Sequence, residues 1–195
     1  MDSMEKMSDK SYVEKVLNGE TEYFARLLER YSKQVFSLIV KIVGNREDAE
    51  DLTQDVFVKV YGSLSQFRGE SSFSTWIYRI AYHKAISATR KKTVVFIPVD
   101  ELMLSDVPDE PDEPVFGDSD MEMRITCLNR ALEQLPPDER AIILFFYKEN
   151  KSMEEIAVIT KLTVTNVKTK IYRIRKKLYV WIKKMEEEQD GDERQ

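Results

Sequence analysis

Between Asp100 and Asp120 the chain carries nine acidic residues, no lysine or arginine, and three prolines at 108, 111 and 114. Such a stretch cannot build a core: like charges repel, and proline removes backbone donors and blocks helix continuation. It therefore divides the 195 residues into two short halves joined by an extended acidic linker. Each half is long enough for one small core and no more. Glycine and proline, six of each, are too few for the turns of a β-sandwich or barrel. The expected fold class is all-α, with two small helical domains and a flexible acidic linker.

Apolar spacing in both halves supports helices. Tyr23, Phe24, Leu27, Leu28, Tyr31, Val35, Phe36 and Ile39 recur at intervals of three and four. Gly44-Asn45 ends this helix, and Asn45 can cap the next, which runs to about Tyr61. Residues 62–72 read as a loop and Phe73–Lys91 as a further helix. Beyond the linker, Pro136-Pro137 separates two helices, and Pro137-Asp138-Glu139 is a favourable helix start. Ser152 and Glu155 have the spacing of a capping box. The expected organisation is a flexible tail 1–10, a first domain 11–93, the linker 94–121, a second domain 122–188 and a tail 189–195.

The net charge of −5 disguises a strong partition. From Lys161 to Lys184 there are nine basic residues and no acidic one. Within this stretch Val164, Val167, Ile171, Ile174 and Leu178 fall within about 80° of each other on a helical wheel and form a buried face. Thr165, Asn166, Thr169, Tyr172, Arg173 and Lys176 lie opposite. A short helix carrying Ile156, Ala157 and Ile159 precedes it across a turn at Lys161-Leu162-Thr163, with Thr163 as cap. A basic helix behind a short helix and tight turn is the pattern of a helix-turn-helix that reads duplex DNA. A solvated lysine-rich face is the plainer alternative.

A second basic stretch, Ser71–Val99, is also free of acids. Phe73, Trp76, Tyr78 and Tyr82 stand among Arg79, His83, Lys84, Arg90, Lys91 and Lys92. Rings interleaved with cations suit single-stranded nucleic acid, because bases stack on rings while cations follow the backbone. Trp76, Ile77 and Ile80 lie together and are expected in the core; Tyr82 and His83 are not. Upstream, Glu47, Asp48, Asp51 and Asp55 gather on one side of their helix, opposite Ala49, Leu52, Val56 and Val60. That cluster is open to three readings: a docking surface for a basic partner, a solvated face, or a metal site for phosphoryl chemistry.

One cysteine, Cys127, and one histidine, His83, exclude a disulfide framework and a Cys/His zinc site. The charged N-terminus has no secretory pattern, and no apolar run approaches the roughly 20 residues needed to span a bilayer. A cytoplasmic protein without metal or cofactor, and not an enzyme, is expected.

The strings DAEDLTQDVFVKVY, FRGESSFSTWIYRIA and SMEEIA…NVKTKIYRIRKKL, in that order, resemble the sigma factors of the extracytoplasmic-function type, within the sigma-70 family. The similarity covers about residues 20–92 and 122–185. It implies a promoter-specificity subunit of bacterial RNA polymerase, with a region 2 helical bundle and a region 4 helix-turn-helix. It implies docking of Asp48, Glu50, Asp51, Gln54 and Asp55 on the clamp helices of the polymerase largest subunit. It assigns the opening and reading of the −10 element, with a base flipped from the stack, to Arg68, Ser71, Ser72, Trp76, Arg79, Tyr82 and His83. It assigns the −35 element, read in the major groove, to Thr165, Lys168, Thr169, Tyr172, Arg173 and Lys176. It also implies an anti-sigma partner, and a linker that threads the polymerase cleft as a mimic of nucleic acid. His83 stands where the family often has Asn, and Ser87 where it often has Asp, so the −10 preference is not simply inherited. Thr165 or its neighbour replaces a Gly common near the start of the recognition helix. A free-standing helix-turn-helix regulator and a nucleic-acid enzyme built on Asp48, Asp51 and Asp55 are the competing readings. The first leaves the acidic and aromatic helices without purpose, and the second lacks a catalytic constellation.

Overall fold

The computed structural model describes residues 7–90 and 121–192, with the backbone alone for 121–124 and 186–192. The expected linker, 94–121, lies outside the described residues apart from Met121. Among the described residues all regular structure is helical. In the first unit α1 spans Asp9–Leu17, α2 Phe24–Val43, α3 Arg46–Gly62 and α4 Phe73–Arg90. In the second, α5 spans Met121–Gln134, α6 Pro137–Tyr147, α7 Met153–Thr160 and α8 Val164–Asp192.

The helix ends follow local chemistry. Gly44 closes α2 with φ of 73°, a left-handed conformation that a side chain would strain. Asn45 Oδ1 then accepts from the Asp48 amide at 2.9 Å and starts α3. Ser72 Oγ accepts from the Thr75 amide at 3.1 Å at the start of α4. Ser152 and Glu155 form the expected capping box of α7: the Glu155 amide donates to Ser152 Oγ at 3.2 Å and the Ser152 amide to Glu155 at 3.1 Å. Two expected boundaries move. Helix α1 begins at Asp9, capped by Ser8, so Lys10 is helical rather than part of a tail. Helix α8 continues to Asp192, because nothing before Gly191 breaks it, so the expected C-terminal tail starts later.

In the first unit α2, α3 and α4 pack mutually and α1 closes on α2. Leu27, Val35, Ile39, Ala49, Val56, Val60 and Ile77 are fully buried there. Leu28 is not core as its spacing indicated; it is 41% exposed on the flank of α2. Asp9 ties α1 to α2 through Tyr31, whose hydroxyl donates at 2.5 Å, and through Arg30. In the second unit α5, α6 and α7 all pack on α8. Ala141–Phe145, Ile156, Ile159, Val167 and Ile174 are buried. The acids at the start of α6 complement its helix dipole and also hold α8: Lys170 pairs with Asp138 at 3.0 Å and Lys177 with Glu139 at 2.8 Å. Lys170 and Lys177 of the basic run are therefore tied inward.

The units are not separate beads. Helix α4 packs against α6 and α7, and α2 against α6, so one continuous apolar core passes through both.

Candidate polymerase and nucleic-acid interfaces

The acidic helix α3 turns Ala49, Val56 and Val60 inward, which leaves its carboxylates outside. Glu50, Asp51, Gln54 and Asp55 are exposed and Asp48 is half-buried. Glu50 pairs with Arg46 at 3.0 Å and Asp55 with Lys84 at 2.7 Å. These are solvent-facing pairs, worth little to stability and easily exchanged for a partner's cations. Among the described residues no group of His, Cys, Asp and Glu could hold a metal ion. Beside the carboxylates lies an apolar groove lined by Phe24, Leu28, Phe57, Val58, Tyr61 and Gln54. Val58 is 73% exposed, and the sequence pattern gave no reason to single it out.

Between α3 and α4 runs a groove of about 770 Å³, lined by Lys59, Trp76, Arg79, His83, Lys84 and Lys161 among others. Five of these six side chains are cationic or can become so, and Trp76 offers a ring. Trp76 is half-buried in a cluster with Phe67 and Phe73, at centroid distances of 5.4 and 5.8 Å. Arg68, Ser72 and Arg79 are exposed and Ser71 half-buried. A charged groove with an aromatic wall is suited to a single strand.

Two expectations for α4 need correction. Tyr82 is buried, with its ring 6.2 Å from Phe145 of α6. Its hydroxyl is pushed up to about 12, first by burial. His83 is half-buried, lining the groove beside Lys161 of the α7–α8 turn, and its Nε2 is buried without a hydrogen-bond partner. Its ionisation is pushed down by burial, then by Lys161 and Arg79. Sequence periodicity placed these two side chains off the core of their own unit and had no means of placing the second unit against them.

The helix-turn-helix has the expected form. Lys161 ends α7 in the left-handed region, φ 62°, and Thr163 Oγ1 accepts from the Asn166 amide at 3.2 Å at the head of α8. Val167, Ile171 and Ile174 are buried, while Val164 at the helix start is 41% exposed. Thr165, Lys168, Thr169, Tyr172 and Arg173 share the open face. Lys176 does not: it is 8% exposed, with its ammonium 4.7 Å from the centre of the Tyr172 ring one turn back. The ring attracts the cation and keeps it down on the helix. No described helix is long and apolar enough to cross a membrane.

Comparison with known proteins agrees with this geometry. The family model described as sigma-70 region 2 matches residues 27–94, and that described as sigma-70, region 4 matches residues 125–178. The RNA polymerase sigma-H factor of Pseudomonas aeruginosa is 30% identical over 178 residues, covering 86% of this chain and 90% of the relative. The ECF RNA polymerase sigma factor SigW of Bacillus subtilis is 30% identical over 179 residues, covering 88% and 95%. Among solved structures, the sigma factor RpoE in complex with the anti-sigma factor NepR from Bartonella quintana is similar in fold. Its TM-score is 0.60 at 22% identity, over 82% of this chain and 96% of that one.

Proposed function

The chain belongs to the extracytoplasmic-function sigma factors of the sigma-70 family, and from that premise we propose how its surfaces divide the work of directing bacterial RNA polymerase to promoters. The exposed carboxylates of α3, namely Glu50, Asp51 and Asp55, with Gln54 and the half-buried Asp48, dock on the polymerase largest subunit. Opposite charge brings the partners together quickly and fixes their register. The groove between α3 and α4 takes the non-template strand of the opened −10 element. There Trp76 offers a stacking surface, and Arg68, Arg79 and the loop serines hold backbone and base edges. His83 already lines this groove, whereas Tyr82 joins it only when the second unit moves away. The open face of α8, with Thr165, Lys168, Thr169, Tyr172 and Arg173, enters the major groove at the −35 element.

The protein is a regulatory subunit with no catalytic residues of its own, and it acts in the cytoplasm beside polymerase and DNA. The relative of known structure that holds an anti-sigma factor supports a similar antagonist for this chain. The observation that carries the whole proposal is the presence in one chain of an acid-faced helix, a cationic aromatic groove and an open basic recognition helix. A free-standing operator-binding regulator would use only the last.

The test is capture of purified bacterial core polymerase by the full chain and by an Asp51→Lys, Asp55→Lys variant. Capture by the wild type and at least about tenfold loss in the variant are expected, since like charges across an interface repel by several kcal/mol. Equal capture by both would remove α3 from the docking surface.

A further inference from the structure

Where cations of the second unit turn inward, each finds an acid. Lys170 pairs with Asp138 and Lys177 with Glu139. Lys151 pairs with Glu155 at 2.9 Å, and Thr75 Oγ1 of α4 donates to the same carboxylate at 2.6 Å. Burial acts against the Glu155 charge, but hydrogen bonds from Thr75 and Lys151 outweigh it and hold the carboxyl at about 2. The groove between α3 and α4 departs from this rule. Lys59 comes from α3, Arg79, His83 and Lys84 from α4, and Lys161 from the α7–α8 turn. Among the described residues Lys59, Arg79 and Lys161 make no ion pair, and Lys84 shares the exposed Asp55. The buried Nε2 of His83 has no hydrogen-bond partner. These charges act on one spot: after burial, Lys161 and Arg79 are what hold His83 below the ordinary imidazole range.

We propose that this groove binds a nucleoside triphosphate in the free chain, with Lys161 completing a ring of cations for the phosphates and Trp76 forming the wall for the base. The inference rests on the nucleic-acid reading of the same groove given above, and adds a second ligand to it. Cations that converge without acids among them repel one another and draw in a counter-anion. A triphosphate answers several of them at once, which a sulfate or a single phosphate does not. The space is about 770 Å³, inside the range of roughly 300–1,000 Å³ that pockets for small organic ligands occupy. Its lining also offers Gln66 and Ser87 for hydrogen bonds to the sugar and base, and Leu52 and Ile80 as apolar surface.

Lys161 is what separates this ligand from a strand of promoter DNA. The strand runs along α3 and α4 of the first unit, where Lys59, Arg79 and Lys84 follow its backbone. A single nucleotide is compact enough to touch those cations and the second unit's Lys161 together. The turn fixes that lysine in place, because its φ of 62° lies in the left-handed region that non-glycine residues seldom adopt. Asparagine adopts the same conformation readily, so the charge can be removed without disturbing the turn.

The test titrates the full chain into ATP that carries a fluorescent methylanthraniloyl group on its ribose, and follows anisotropy at low salt. Saturable binding is expected. Unlabelled ATP should compete at least about tenfold better than adenosine, because charge-assisted contacts to the phosphates are lost with them. It should compete about fivefold better than inorganic tripolyphosphate, because stacking of the base is lost. Lys161→Asn should weaken ATP about tenfold, from the loss of one cation on the phosphates. Arg79→Gln should act alike, and both side chains are exposed, so neither change threatens the fold. Lys183→Asn, on α8 and outside the groove, should leave ATP binding as it was. Absence of saturable binding overturns the proposal. So does binding that tripolyphosphate matches, or that Lys161→Asn leaves intact, since either marks general attraction to a basic surface. A chain that binds ATP as expected but captures no core polymerase sinks the sigma-factor reading and not this site; capture of core without ATP binding does the reverse.

Discussion

Helices α4 and α8 carry nearly the same chemistry and meet opposite fates. Both are rich in lysine, arginine and tyrosine, and both are preceded by a hydroxyl residue that caps them, Ser72 and Thr163. On α8 Lys168, Arg173 and Tyr172 stay in solvent, because α5, α6 and α7 all pack on its other side. On α4 the first unit covers one side and the second unit covers another, so Tyr78 and Tyr82 vanish between them. The lesson is that a basic aromatic face specifies what a surface can bind but not when it is available. Availability is decided by what else packs there. Here the face of α8 proposed to read duplex is open, and the face of α4 proposed to take a single strand is partly covered. A single strand exists only after the duplex is opened, so withholding that face costs the protein nothing before polymerase arrives.

Five changes would break or sharpen this contrast. The largest effect is expected from Phe145→Ala. It removes the ring that wedges against Tyr78 and Tyr82 and leaves a cavity in the second unit, with an expected loss of about 3–5 kcal/mol by chemical denaturation. Tyrosine quenching or hydrogen exchange on α4 should rise in parallel, while the α8 face stays as accessible as before. A smaller effect, confined to the other helix, is expected from Arg173→Ala. It should weaken duplex binding by about 1–3 kcal/mol. Lys168→Ala should reduce the salt dependence of that binding by about one counterion. Neither should alter the spacing of the two units, which small-angle scattering can check.

Ser152→Ala comes next. It removes the hydroxyl half of the α7 capping box, at about 1 kcal/mol in thermal unfolding. Because Glu155 serves both the box and Thr75, the variant should also loosen the inter-unit contact, whereas a cap with no second duty would leave it unchanged. The smallest effect concerns His83. Its ionisation is held below the ordinary imidazole range by burial and by Lys161 and Arg79, with Arg90 adding to them. Lys59 and Lys84 line the same groove. The folded, closed state therefore favours neutral His83. Its stabilisation is present above pH 6.5 and declines as pH falls below that value. Thermal unfolding followed from pH 8 to 5.5 should show a modest loss of stability below pH 6.5 that His83→Gln abolishes; an unchanged slope in that variant would assign the effect elsewhere.

Much of this was legible in the chain itself. The all-helical class, the caps at Asn45, Thr163 and Ser152, and the division by the acidic stretch all follow from short-range chemistry that a sequence displays. The open face of α8 was legible for the same reason: Val167, Ile171 and Ile174 turn the opposite side inward. Lys176 was misplaced because a helical wheel treats lysine as a point and ignores a long side chain folding back onto Tyr172. Tyr82 was misplaced because its cover comes from a helix more than sixty residues later in sequence. Glu155 showed a local role only, in a capping box. Nothing in periodicity reveals that a capping carboxylate has a second oxygen turned toward another unit.

The central claim is that these surfaces together direct polymerase to promoters, and mapped initiation tests it most directly. Core polymerase and a library of bacterial genomic fragments would be transcribed with and without the full chain, and the transcript starts sequenced. The account predicts starts that depend on the chain and share two motifs near −10 and −35, with the −35 motif degraded by Arg173→Ala. Chain-independent starts, or dependent starts with no common upstream sequence, would contradict it.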